Sequence, residues 1–182
     1  MVKLGGINIS NTDESNNKSS ELLLSVVQKE FEYESERNKG IQNRAGIFMS
    51  FIGVIMTIFP SYININEIAS RPNETIGQTG LLLLYISLII LLFVGLIVSL
   101  VMFVTVLNTK QYRKLNSSGF SEENCIYDTK AVSLELMKDY KEILEYNSEI
   151  NNKKAKAFEM GCKILVACII LIPIIISIKA FI

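Results

Sequence analysis

The sequence predicts an all-α integral membrane protein with three transmembrane helices and a cytosolic helical layer. Three long apolar runs carry this prediction, at residues 45–66, 81–107 and 164–182. About 20 residues, rising about 1.5 Å each, cross a hydrocarbon core of roughly 30 Å. Apolar residues make up 49% of the 182 residues, and they are concentrated in these runs. A soluble fold would interleave them with polar residues, so we expect lipid to surround the three runs.

The pattern divides the chain into seven segments, of which three lie in lipid and four in water. The four segments outside lipid are rich in charged or turn-forming residues. In order, the segments are a flexible N-terminal tail (1–18), a cytosolic amphipathic stalk helix (19–44), the first span (45–66), an outer loop (67–80), the second span (81–107), a cytosolic helical segment (108–162) and the third span (163–182).

Basic residues beside the spans predict the orientation. Clusters of lysine and arginine precede the first span, follow the second and precede the third, whereas the loop between the first two spans has only Arg71. Basic residues near spans favour the cytoplasmic side. We therefore expect a cytoplasmic N-terminus and an outward-facing C-terminus.

Composition excludes several classes of function. Eighteen basic side chains balance eighteen acidic ones, so no large field of one sign exists to bind nucleic acid. The chain has no histidine, and Cys125, Cys162 and Cys168 have no paired spacing. Zinc sites and histidine-based catalytic relays need those residues. We expect no metal, no cofactor and no enzymatic activity.

Small residues mark two helix faces. Gly95 and Ser99 form a small pair in the second span, typical of helix packing. The first span carries a longer series at spacings of four, three and four. This small-residue stripe consists of Gly46, Ser50, Gly53 and Thr57. The stripe could pack within one chain, contact another copy or line a pore.

No charged residue lies at the centre of a span. Proton-coupled transporters and voltage sensors need such residues, so these classes are disfavoured. An oligomeric pore closed by an apolar constriction and a passive anchor both remain open.

The cytosolic segment contains an amphipathic helix that needs a partner. Asp128 is placed to cap it, and residues 147–152 are expected to bend or break it. Its apolar face consists of Val132, Leu136, Tyr140, Ile143 and Ile150. The nearest candidate partner is the apolar face of the stalk around Leu23, Val27 and Phe31, from the same chain or a neighbour.

In the third span, Pro173 predicts a kink, and Lys179 is expected to reach the outer headgroups.

The charged end of the stalk has two interpretations. Acidic residues alternate there and basic residues follow, which fits a solvated helix face. The alternative is an oligomer contact in which Glu34 and Glu36 meet Arg37 or Arg44 of another chain.

The layout resembles a family of bacterial defence proteins. The acidic stalk, the run Glu36-Arg37-Asn38, the run Arg44-Ala45-Gly46 and an apolar segment containing Gly53 are similar to small multi-span effectors of anti-phage systems, of the Pycsar, CBASS and SLATT types. The resemblance covers residues 20–114. The third span and the lack of a nucleotide-binding module depart from it.

The resemblance implies a homo-oligomeric effector that disrupts the bacterial inner membrane on infection. A signal would arrive through a cytosolic sensor protein or through residues 110–163. Two alternatives stay open: a membrane anchor or regulatory subunit that docks a cytosolic enzyme, and a holin-like or immunity membrane protein.

Overall fold

The chain folds into long helices in a computed structural model that describes residues 13–63, 76–108, 112–115 and 128–180. Within these ranges there are three helices and no strand: α1 (Asp13–Tyr62), α2 (Ile76–Leu107) and α3 (Thr129–Lys179). Each helix is long and apolar enough to cross a membrane. The predicted all-α class with three spans is confirmed.

The helix boundaries differ from the predicted segments at two ends. α1 is one helix of 50 residues through the stalk and the first span, and it begins at Asp13, inside the predicted tail. α2 begins at Ile76, inside the predicted outer loop. The turn predicted around Arg71 and the loop predicted around Ser117 lie outside the described residues. Since about 20 residues cross a bilayer, α1 must extend well beyond it.

α3 is continuous over 51 residues, so the break predicted at residues 147–152 is wrong. The side-chain amide of Asn147 forms hydrogen bonds with the backbone of Arg113, so it does not disrupt the backbone hydrogen bonds of its own helix. The predicted start is correct, because the Asp128 carbonyl accepts a hydrogen bond from Val132 N at 3.1 Å. The helix also runs through Pro173, whose carbonyl accepts a hydrogen bond from Ser177 at 2.8 Å.

The covered side of every helix repeats at alternating steps of three and four residues. This is the heptad pattern of helices that pack knobs into holes. On α1 it comprises Leu24, Val27, Phe31, Glu34, Asn38, Ile41, Ala45, Phe48, Ile52, Ile55 and Phe59. On α2 it comprises Tyr85, Ile89, Leu92, Leu96, Ser99, Phe103 and Val106. On α3 it runs from Ser133 through Met137, Tyr140, Leu144, Asn147, Asn151, Lys154, Phe158, Gly161, Leu165, Cys168, Ile172 and Ile175 to Lys179.

These covered residues form two compact units. The layer unit comprises Met1–Arg37 with Tyr112–Ile150, and the span unit comprises Asn38–Gln111 with Asn151–Ile182. The border between the units falls inside α1 and again inside α3.

Aromatic contacts join the helices within each unit. In the span unit, Phe48 of α1 lies 5.6 Å from both Phe103 of α2 and Phe158 of α3, measured between ring centroids. In the layer unit, Phe31 meets Tyr140 edge-on at 5.5 Å. The amphipathic face of α3 therefore packs on the stalk of its own chain. Val27 and Phe31 lie on the covered face of the stalk as predicted, whereas Leu23 is 51% exposed and Leu24 takes its place.

Candidate functional site

The small-residue stripe lies outside the core of the span unit. Gly46 is half-buried, and Ser50, Gly53 and Thr57 are exposed. A Cβ atom added at either glycine would meet nothing within 4 Å. Packing within one chain therefore does not account for the stripe among the described residues. Contact with another copy and pore lining remain as its interpretations.

The hydroxyl groups of the stripe are satisfied by their own helix. Ser50 Oγ donates to the Gly46 carbonyl at 3.1 Å, and Thr57 Oγ1 donates to the Gly53 carbonyl at 2.8 Å. This arrangement suits lipid, where an unpaired polar group costs several kcal/mol. The stripe is thus a shallow, uncharged strip on which a second helix can approach closely.

Gly95 and Ser99 lie where α2 and α3 approach closely. A Cβ atom on Gly95 would stand 2.6 Å from Cys168 Sγ. Ser99 is fully buried and donates to the Gly161 carbonyl at 2.9 Å. Gly161 itself admits no side chain easily, because an added Cβ would be 3.0 Å from the Phe103 ring. Sequence reasoning missed Gly161, although a glycine at the start of an apolar run was the available signal.

A buried lysine is the second feature that sequence reasoning missed. In the span unit Lys154 is only 6% exposed, and its Nζ donates to Asn38 Oδ1 at 2.9 Å. Gln42 donates to the same oxygen at 3.3 Å. Burial lowers the pKa of Lys154. A polar residue on the apolar seam of a heptad pattern is best satisfied when it faces a polar partner. The Lys154–Asn38 pair therefore favours one alignment of α3 along α1.

In the layer unit a side-chain amide holds the chain that follows α2. Asn147 Oδ1 accepts from Arg113 N at 3.0 Å, and Asn147 Nδ2 donates to the Arg113 carbonyl at 2.9 Å. The Arg113 guanidinium lies 4.1 Å from the centre of the Tyr146 ring and 3.5 Å from Glu142. These contacts attach residues 112–115 to α3.

Tyr112 inserts its hydroxyl beside the same asparagine. Burial raises the pKa of Tyr112, while the nearby side chains of Ser35 and Asn147 oppose the rise and Glu34 adds to it. The tyrosine therefore keeps its proton at neutral pH.

The predicted stalk residues separate into paired and exposed ones. Glu34 and Arg37 bond each other within α1, with Arg37 Nη1 3.1 Å from Glu34 Oε1. Glu34 is largely buried, while Glu36 and Arg44 are exposed. Glu36 and Arg44 stay available for the predicted contact with another chain.

The predicted partner face of α3 is largely covered by the chain itself. Ile150 is buried and the other members are half-buried. Tyr140 contributes the ring contact to Phe31. At the other end of α3, Lys179 Nζ donates to the Tyr62 carbonyl at 2.9 Å, where sequence reasoning expected it to reach headgroups.

Among the residues the structure describes, no group of three His, Cys, Asp or Glu side chains could hold a metal ion. The fold defines a three-helix membrane protein whose first helix carries a small-residue stripe that the described residues leave uncovered. No protein-family model matches the chain, and no curated protein or solved structure is similar to it.

Proposed function

We propose that the chain is a non-enzymatic effector that self-associates and permeabilises the bacterial inner membrane as part of anti-phage defence. The observation that carries this proposal is the uncovered stripe of α1. Among the described residues, nothing lies within 4 Å of a Cβ atom added at Gly46 or Gly53, yet the stripe offers the close helix approach that membrane helices use to associate.

The composition of the spans supports a pore that needs no ionisable residue. Ile47, Val54 and Ile58 flank the stripe and are exposed. Copies that meet through the stripe would surround a path lined by apolar groups and a few hydroxyls. Such a path closes by losing its water and opens when the helices separate slightly.

The proposed orientation has the N-terminus in the cytoplasm and the C-terminus outside. It rests on the basic clusters before α1's apolar part, after α2 and before α3's apolar part. An infection signal would then reach the layer unit from the cytoplasm through a sensor protein.

The covered face of α3 disfavours the anchor alternative. Docking of a cytosolic enzyme through Val132, Leu136 and Tyr140 would require the stalk to leave this face. The stripe of α1 needs no such rearrangement.

Dye release from liposomes tests the proposal. The purified chain should release an encapsulated dye, and Gly53→Leu should abolish release because leucine blocks close helix approach. Ser87→Leu is the matched control, since Ser87 is an exposed small residue of α2 away from the stripe. Liposomes that stay sealed with the unsubstituted chain, at every protein density and with phage-infected cell extract added, would overturn the proposal.

A further inference from the structure

The charged part of α1 has a second face, turned away from the residues that pack on α3. Leu22, Val26 and Tyr33 lie on it and are 65%, 50% and 63% exposed. Lys29 and Glu36 complete a series with steps of four and three residues. We name these five residues the outer α1 face. Its spacing is that of a heptad seam.

Neither water nor lipid suits this face. In water, three large apolar side chains at heptad spacing leave an apolar strip unburied. In lipid, the exposed carboxylates of Glu21, Glu30 and Glu32 around the strip would be costly. A second protein helix would cover the apolar side chains and leave the flanking charges in water.

Resting on the self-association proposed above, we infer that the outer α1 face binds the same face of a second copy of this chain, with the two α1 helices parallel. Copies of a membrane protein insert with one orientation, so their first helices run in the same direction. A parallel pair places each residue opposite its own counterpart. Leu22, Val26 and Tyr33 would then each meet an identical side chain.

The charges of the face fit this parallel arrangement. In parallel heptad packing, a residue at the second seam position contacts its counterpart and the residue that follows the counterpart. Lys29 would therefore meet Glu30 of the second copy, and Glu36 would meet Arg37 of the second copy, which also keeps its ion pair with Glu34 of its own chain. Each potential repulsion between like charges is thus offset by an adjacent opposite charge. Symmetry provides both attractions twice.

Disulfide cross-linking in liposomes tests the inference. Val26→Cys should give dimers rapidly, because parallel packing brings the two substituted positions together. Leu134→Cys is the matched control, since Leu134 is an exposed apolar residue of the same unit. It should not give dimers, because it lies on α3 and outside the outer α1 face. The unsubstituted chain supplies the background from its three native cysteines. Equal cross-linking at positions 26 and 134 would overturn the inference.

A charge exchange gives a second measurement. Adding Lys29→Glu to the Val26→Cys chain should slow cross-linking about two- to tenfold, because exposed ion pairs contribute a few-fold each. Adding Glu30→Lys as well should restore the rate. Circular dichroism of both variants should show the same helix content. Failure of the second exchange to restore the rate would contradict the proposed pairing.

The two measurements separate this inference from the permeabilising function. Cross-linking at Val26→Cys in liposomes that retain their dye would support the docking face and count against the effector. Dye release without cross-linking at Val26→Cys would count against the docking face alone.

Discussion

Lys154 donates a hydrogen bond to Asn38 at 2.9 Å, and both side chains are more than nine-tenths buried in the span unit. Asn38 is a neutral acceptor, so this bond does not neutralise the lysine. The two residues occupy heptad positions that are mostly apolar further along α1 and α3. The pair therefore contributes more to register than to stability.

Removing the acceptor and removing the charge should have different effects. Asn38→Leu leaves the Lys154 ammonium without this acceptor and should lower the free energy of unfolding by about 1–3 kcal/mol. Lys154→Met should be neutral or stabilising, and the double variant should recover most of the loss. Thermal unfolding in detergent, followed by circular dichroism, measures these changes. Lys156→Met is the exposed control. Equal destabilisation by Asn38→Leu and Lys154→Met would contradict this account.

The lowered pKa of Lys154 predicts a stability difference that depends on pH. The folded chain releases the Lys154 proton at a lower pH than the unfolded chain, so stability should rise with pH between the lowered pKa and the ordinary value of about 10.4. Below that window the cost of the buried charge is fully present.

The Lys154→Met variant lacks this rise of stability with pH. The difference in Tm between Lys154→Met and the unsubstituted chain should shrink as pH approaches 10. Tyr112, whose pKa is raised, is present in both proteins and cancels. A difference that stays constant up to pH 10 would show that Lys154 titrates normally.

The contact between Gly95 and Cys168 predicts a coupled pair of substitutions. Gly95→Ala places a methyl group 2.6 Å from Cys168 Sγ and should destabilise the fold by about 1–3 kcal/mol. Cys168→Ala removes the sulfur, so the double variant should recover much of the loss. Denaturation in mixed micelles gives the four free energies of the cycle.

Gly53→Ala is the matched control for this cycle, because the added methyl group meets open space. It should leave the free energy of unfolding of the single chain unchanged or slightly higher, since alanine favours a helix. A coupling of zero between the Gly95 and Cys168 substitutions would mean that the two helices are further apart than described.

We expect the hydrogen bonds of the Asn147 side chain to protect the segment after α2 from proteases. Asn147→Leu removes both hydrogen bonds to the Arg113 backbone and should make cleavage by trypsin at Arg113 and Lys114 several-fold faster. Cleavage at the exposed Lys138 serves as the internal reference, because the substitution does not touch it. Unchanged relative cleavage would mean that other contacts hold this segment.

Sequence reasoning predicted the spans because lipid imposes a simple requirement of length and hydrophobicity. It also predicted that Tyr140 lies on an apolar face with the stalk as a candidate partner. It failed at Asn147, whose low helix propensity is offset by hydrogen bonds to a residue 34 positions away. No local pattern reveals such a partner.

Two other features were visible in the sequence and were assigned a different meaning. Lys154 was counted as one of several basic residues that set orientation, but it lies on the same heptad seam as Phe158 and Gly161, which predicts burial. The stripe containing Gly53 illustrates the opposite limit. Small residues suit an internal contact and an external one equally, so the structure was needed to show that residues 13–63, 76–108, 112–115 and 128–180 leave this stripe uncovered.

The alternation of three and four residues along α3 restricts how this helix can change length. Inserting one residue rotates everything beyond it by about 100°, which would move Leu165 and Cys168 out of the interior and bring Ile164 and Ala167 in. Seven inserted or deleted residues restore nearly the same angle. Length variants that keep the helix intact should therefore occur in whole heptads, while shorter insertions should survive only beyond the helix ends.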